Sequence, residues 1–188
     1  MFHVGDIVDR RGRSVFPDYL RKEAGILKGL RSGKFRFDIY VSGKTPPVEI
    51  WSGQYLLVTP KVAKTYLKSF HAQIDQIPVQ AVDRDSDRIH SMLLLHPLRE
   101  VSAFVGTTDL DVAADPKLLK RTVDWTDEGV GLAYRLAPER LVSHDIVMIS
   151  NAPMARLAIS DRFRRALRPA LPQKAGKFIE FREYDVAT

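Results

Sequence analysis

The chain predicts a mixed α+β fold, rich in strand, with two or more short helices packed on sheet faces. Three observations carry that class. Phe35, Phe37, Ile39 and Val41 alternate with Arg36, Asp38 and Tyr40, the two-residue period of a half-buried strand. Residues 55–82 and 156–186 repeat one strand, cap, helix, strand unit, with "LLVTPKVAKTY" answered 101 positions later by "LAISDRFRRAL". An apolar fraction of 45% beside 28% charged residues is ordinary for a globular chain, and 188 residues bury roughly 70% of their unfolded surface, enough for a core without disulfides or metals. One domain over residues 1–188 is the expectation.

Along the chain, "HVGDIV" reads as a short strand, and Pro17 to Leu30 as a short helix or a loop, because Gly25 and Gly29 weaken a helix. "KFRFDIYV" is the strand above, "SGKTPP" ends it, and "VEIW" is a second extended segment before the turn at Ser52 and Gly53. Tyr55 to Val58 is strand-like. Thr59 then suits an N-cap, and Pro60 suits the first helical position, where its missing N–H has no partner to lose. Val62, Tyr66 and Phe70 share one face and Lys61, Lys64 and Lys68 another, so the helix is amphipathic and ends near His71.

Ile77, Val79 and Ala81 alternate as a strand, "DRDSD" turns the chain, and "IHSMLLLHPL" is a largely buried strand that Pro97 interrupts or places at an edge. "DPKLLKRTVD" is a single helix or an ordered loop, and "VGLAYRL" and "DIVMI" are further strands. In the second unit Ser160 caps a helix, Asp161 sits in its first turn where a negative charge suits the dipole, Phe163 and Leu167 face inward, and Pro169 ends it at Arg168. "KFIEFREYDV" closes the chain as a strand in which Ile179 and Phe181 match Ile77 and Val79.

The chemistry is constrained by what is missing. Without cysteine there is no thiolate catalysis, no disulfide and no Cys-ligated zinc. His3, His71, His90, His96 and His144 lack metal-ligand spacing, and no Gly-rich phosphate loop is present. No cofactor is expected. Asp83, Asp85 and Asp87 begin a calcium-loop pattern that fails at Arg88 and Leu94. "SHD" at Ser143, His144 and Asp145 holds the three triad residue types, but adjacent residues cannot form a nucleophile–base–orienter line by themselves, so a hydrolase using His144 and Asp145 needs a distant nucleophile.

The net charge of +6 invites an acidic or nucleic-acid partner. Lys61, Lys64 and Lys68 on the first helix and Arg162, Arg164, Arg165 and Arg168 on the second are the candidate phosphate contacts, without the Asn or Gln base readers of a recognition helix. "DWTDE" gathers Asp124, Trp125, Asp127 and Glu128 as a candidate recognition patch. No apolar run is long enough to span a bilayer, and the N-terminus lacks the order of a signal peptide, so a cytoplasmic location is expected.

The succession "YLLVTPKVAKTYLKSF", "IDQIPVQ", "MLLLHPL", "SHDIVMI" and "LAISDRFRRAL…FIEFREYDV", over residues 35–186, resembles the bacterial toxin-immunity family numbered eleven of polymorphic toxin systems, formerly a domain of unknown function. Residues 1–34 are an N-terminal extension outside it. The resemblance implies a non-catalytic cytoplasmic immunity protein that binds and neutralises a cognate toxin, commonly one delivered by a contact-dependent or type VI-like secretion route and encoded by a neighbouring gene. Anchors for such a partner are then Trp125, Tyr134 and Arg135, with the acidic Asp124, Asp127 and Glu128 around them; Trp51 serves equally well as an anchor or as core. The alternatives are a nucleic-acid binder using the basic helix faces and the hydrolase using His144 and Asp145.

Overall fold

The computed structural model describes residues 2–15, 23–41, 48–51, 55–112, 114–120, 124–125, 130–152, 156–171 and 184–186. Its largest element is a six-stranded sheet built from β1 (Phe2–Asp9), β2 (Phe35–Val41), β3 (Val48–Trp51), β4 (Tyr55–Val58), β5 (Ile74–Asp83) and β6 (Ile89–Pro97), in the order β1-β2-β5-β6-β4-β3. All neighbours are antiparallel except β2 and β5, which run parallel over Phe37–Ile39 and Ala81–Asp83. The alternating pattern read from "KFRFDIYV" is β2, with Phe37 and Ile39 buried on one face.

Two smaller sheets follow. Strand β10 (Gly131–Leu136) lies between β8 (Phe104–Leu110) and β13 (Asp185–Val186), with β9 (Asp124–Trp125) also paired to it. Strand β11 (Ile146–Ile149) lies between β12 (Arg156–Ile159) and the short β7 (Glu100–Val101). The fold is therefore α+β, with several sheets and a few short helices.

The six-stranded sheet separates two apolar clusters. Leu57 and Leu94 pair across β4 and β6 and belong to the first cluster, together with Ile7, Phe37, Ile77 and Met92; their chain neighbours Leu56 and Leu95 belong to the second. This is period-two geometry at work, since successive side chains leave a strand on opposite faces. It also explains the unbroken apolar run Met92–Leu95: β6 is an interior strand covered on both sides. Pro97 is the last residue of β6, opposite Ile74, so it ends the strand.

Helix α1 (Glu23–Arg31) covers the first cluster with Ile26 and Leu30. The sequence left this segment between helix and loop because of its glycines, and the packing decides for helix. A Cβ on Gly29 would meet the ring of Phe35, with Cγ only 2.9 Å away, so glycine is what lets the helix approach β2. Helix α1 ends in a Schellman motif: Gly33, at φ +66°, donates its N–H to the Leu30 carbonyl at 3.0 Å, and Lys34 donates to the Gly29 carbonyl at 2.9 Å. Gly29→Ala, which in an open helix stabilises by about 1 kcal/mol, here carries an overpacking cost of about 1–3 kcal/mol, so the urea midpoint falls. A raised midpoint would show that the Phe35 ring moves aside freely.

The repeated units appear as two short capped helices on the second cluster, α2 (Pro60–Tyr66) and α3 (Asp161–Leu167). Thr59 Oγ1 accepts from the Val62 N–H at 3.4 Å and Ser160 Oγ from the Phe163 N–H at 3.1 Å, the same N-cap bond at equivalent positions. In the first unit the α-helix stops at Tyr66 rather than near His71. A 3₁₀ segment, Lys68–Gln73, continues the chain and carries Phe70 into the core. The second unit has a shorter equivalent, Arg168–Ala170, held by Pro169.

The units pack on each other, with the rings of Phe70 and Phe163 edge to face at 4.8 Å. Their closing strands differ in pairing: β5 runs antiparallel to β6, whereas β13 runs parallel to β10. Ile179 and Phe181, expected to match Ile77 and Val79, lie outside the described residues. "DPKLLKRTVD" contains a 3₁₀ turn, Pro116–Lys120, and its residues 121–123 also lie outside them.

Candidate functional site

The expected recognition patch falls on β9 and β10. Trp125 stands opposite Gly131 and Asp124 opposite Leu132 in the ladder, while Asp127 and Glu128 lie outside the described residues. Farther along β10, Arg135 is exposed but Tyr134 is only 3% exposed. Its ring meets Phe104 edge to face at 5.2 Å and stacks on Tyr184 at 6.4 Å. Tyr134 is thus a core residue of the second sheet rather than a projecting anchor. Alternation along the strand explains it, because Arg135 takes the outward position between buried Tyr134 and buried Leu136. Of Trp51 the structure describes the backbone, the last residue of β3.

Asp145 is where the repeated units meet. Its carboxylate accepts from the Ser160 hydroxyl at 2.6 Å and from the Gln73 amide at 3.1 Å, and the Arg162 guanidinium lies 3.2 Å away. Its backbone N–H donates to Gln73 Oε1 at 2.7 Å, and its carbonyl accepts from the Ser160 N–H at 2.8 Å. Gln73 ends the 3₁₀ segment of the first unit and Ser160 caps the helix of the second, so one buried carboxylate links both. No described hydrogen bond joins it to His144, whose backbone N–H donates to the Leu141 carbonyl. Ser143 sits at φ +70°, turning the chain just before Asp145.

The arginines of α3 are largely engaged. Arg164 and Arg165 reach Asp161 at 2.5 Å each, and the Arg164 hydrogen bond, helped by the charge of Arg165, holds the Asp161 carboxyl below its ordinary range against the opposing effect of desolvation. Arg162, besides Asp145, lies over the Phe70 ring at 5.1 Å. Three of the four candidate phosphate contacts on this helix therefore already have carboxylate partners.

A different basic feature emerges where β2 starts late. Because β2 pairs with β5 only from Ala81 onward, the first half of β5 is flanked, among the described residues, by the end of α1 instead of a strand. A groove of about 630 Å³ opens there, rimmed by Arg10, Arg31, Lys34 and Arg36 over a floor that includes Pro78 and Leu93. Each cation is placed by local structure. Arg10 Nε donates to the Gly33 carbonyl at 3.3 Å, in the turn after α1, and Lys34 leaves that same turn. Arg31 pairs with Asp75 of β5, and Arg36 Nε stands 3.7 Å from buried Asp38, which also binds Arg84 at 2.6 Å.

Asp9, beside Arg10, is engaged elsewhere. The Arg13 backbone N–H and guanidinium hold its carboxyl below the ordinary range. The sequence reading passed over this groove, although "RSGKFR", with three cations in six residues across a helix-to-strand turn, carried its signal.

Among the described residues no group of three or more His, Asp or Glu side chains is placed to hold a metal ion, and no helix is long and apolar enough to cross a membrane. Asp83, the first position of the failed calcium pattern, accepts instead from the Asp85 N–H at 3.3 Å and from the Ser86 hydroxyl, closing a turn of its own. No family model matches the chain, and no curated protein or solved structure matches it either.

Proposed function

We propose that the chain is a non-catalytic binding protein of the immunity type, which neutralises a cognate bacterial toxin by occupying its surface. The observation that carries the reading is the engagement of Asp145. The acid on which a hydrolase would depend is buried and saturated by Ser160, Gln73 and Arg162, and serves to hold two packing units together. A general base must reach the proton it removes, and this carboxylate faces the protein interior. With Gln73, Asp145 and Ser160 tied into the fold, the exposed loops, the lysine face of α2 and the cationic groove are left as the surfaces a partner meets.

A stable complex of this kind buries about 1,600 Å² in total and depends on a few well-packed anchors. The basic rim favours an acidic toxin surface, since complementary potentials speed encounter and exclude wrong partners. The experiment is co-expression. The product of the adjacent reading frame, produced alone in a bacterial host, should arrest growth; with this chain present, growth should recover and the two proteins should co-elute on size exclusion. Growth arrest without rescue, or rescue without a complex, removes the reading, and so does a neighbouring product that is harmless.

Nucleic-acid binding through the helix faces is the weaker reading, because Arg162, Arg164 and Arg165 are already paired with Asp145 and Asp161.

A further inference from the structure

The groove between α1 and β5 combines two features that point to one class of ligand. Its rim is cationic, and among the described residues no acidic side chain lines it. Of the carboxylates near it, Asp75 and Asp38 are taken up by Arg31 and Arg36, and Asp9 by Arg13. Arg10 and Lys34 form no ion pair with a described residue and are exposed. The floor, by contrast, is apolar: exposed Pro78 and half-buried Leu93 stand opposite each other in the β5–β6 ladder, with Gln80 and Ser91, the next pair on the same face, offering hydrogen bonds.

We propose that this groove docks an acidic segment of a protein partner, its carboxylates on Arg10 and Lys34 and an apolar side chain on the Pro78–Leu93 floor. The inference rests on the immunity reading only in making that partner the toxin. Charge complementarity selects an acidic ligand. The apolar floor selects a polypeptide over a nucleic acid, since single strands are held by exposed aromatic platforms, and the one aromatic ring lining the groove among the described residues, that of Phe35, is packed against Gly29. The volume lies within the roughly 300–1,000 Å³ of sites that enclose ligands of several side chains.

The test uses the full chain and three fluorescein-labelled probes read by anisotropy: a peptide of alternating glutamates and leucines, the same peptide with lysines for glutamates, and oligothymidylate. The glutamate peptide should bind, the lysine peptide should not, and the double variant Arg10→Glu with Lys34→Glu should weaken binding by about tenfold or more, equal to about 1.4 kcal/mol. Raising salt should weaken it in the same direction. Both residues are exposed, so the fold should survive, and circular dichroism checks it; the pair Arg10→Gln with Lys34→Gln decides the matter if the charge reversal does not fold.

Absence of glutamate-peptide binding, equal binding by the double variant, or preference for oligothymidylate each overturns the proposal. None of these readouts needs the toxin. Rescue from the toxin by a charge-reversed variant that no longer binds the peptide removes the toxin as occupant and leaves the immunity reading intact.

Discussion

Phe163→Ala lowers the unfolding free energy by about 4 kcal/mol and the melting temperature by about 8–16 °C. Phe163 is fully buried and its ring meets buried Phe70 edge to face, with Val62, Leu67 and Leu167 in the same cluster. Truncation therefore removes the transfer free energy of the ring, leaves a cavity, and deletes an aromatic pair worth about 0.5–1.5 kcal/mol beyond its area. No rearrangement refills the space cheaply, because the partner ring is fixed by the 3₁₀ segment Lys68–Gln73 and not by a loop. Phe163→Leu, which keeps most of the volume, should cost less than half as much. In the double-mutant cycle, Phe70→Ala after Phe163→Ala should cost less than Phe70→Ala alone by about 1 kcal/mol. Urea unfolding of the four proteins measures it, and strict additivity would show that the two repeated units do not share one core.

That shared core was only partly legible in the sequence. The caps were legible because they are local: Thr59 and Ser160 each need only their own helix, and the structure has both bonds. The β2 alternation was legible for the same reason. The helix Glu23–Arg31 stayed ambiguous because its decisive contact, Gly29 against Phe35, involves the following strand and runs against helix propensity. Asp145 looked like one third of a triad, since its true partners, Gln73 and Ser160, lie 72 and 15 residues away. Tyr134 looked like an anchor because aromatic residues suit both interfaces and cores, and only the packing of Phe104 and Tyr184 distinguishes the two. The groove cations come from the turn after β1, from α1, from β2 and from the turn between the last two, so no single run announced them in full.

Asp145→Ala should destabilise by about 2–4 kcal/mol, and the source of that cost separates a structural hub from a surface ion pair. Removing the carboxylate leaves the Ser160 hydroxyl and the Gln73 amide, both partly buried, without their acceptor, and each unsatisfied donor costs about 1–3 kcal/mol. The Arg162 contribution is smaller. Its side chain is 66% exposed, so the pair is screened and Arg162→Ala should cost about 1 kcal/mol or less, even counting its contact with Phe70. Asp145→Asn is not a neutral replacement, because its amide nitrogen would face either the donors Gln73 Nε2 and Arg162 or the Ser160 hydroxyl, which would have to accept where it now donates, and the charge facing Arg162 is lost. Ser160→Ala loses the helix cap and the Asp145 bond together, so it should exceed Thr59→Ala, which loses a cap alone; in the Asp145→Ala background the excess should vanish. Thermal melts of these variants at low and high salt decide the matter. If Arg162→Ala proved as costly as Asp145→Ala, and salt abolished both effects, the hydrogen-bonded bridge between the units would not be what Asp145 provides. If the bridge holds, the residue that most resembled catalytic machinery is the one that fixes how the two units sit, and the surfaces facing a partner inherit their geometry from it.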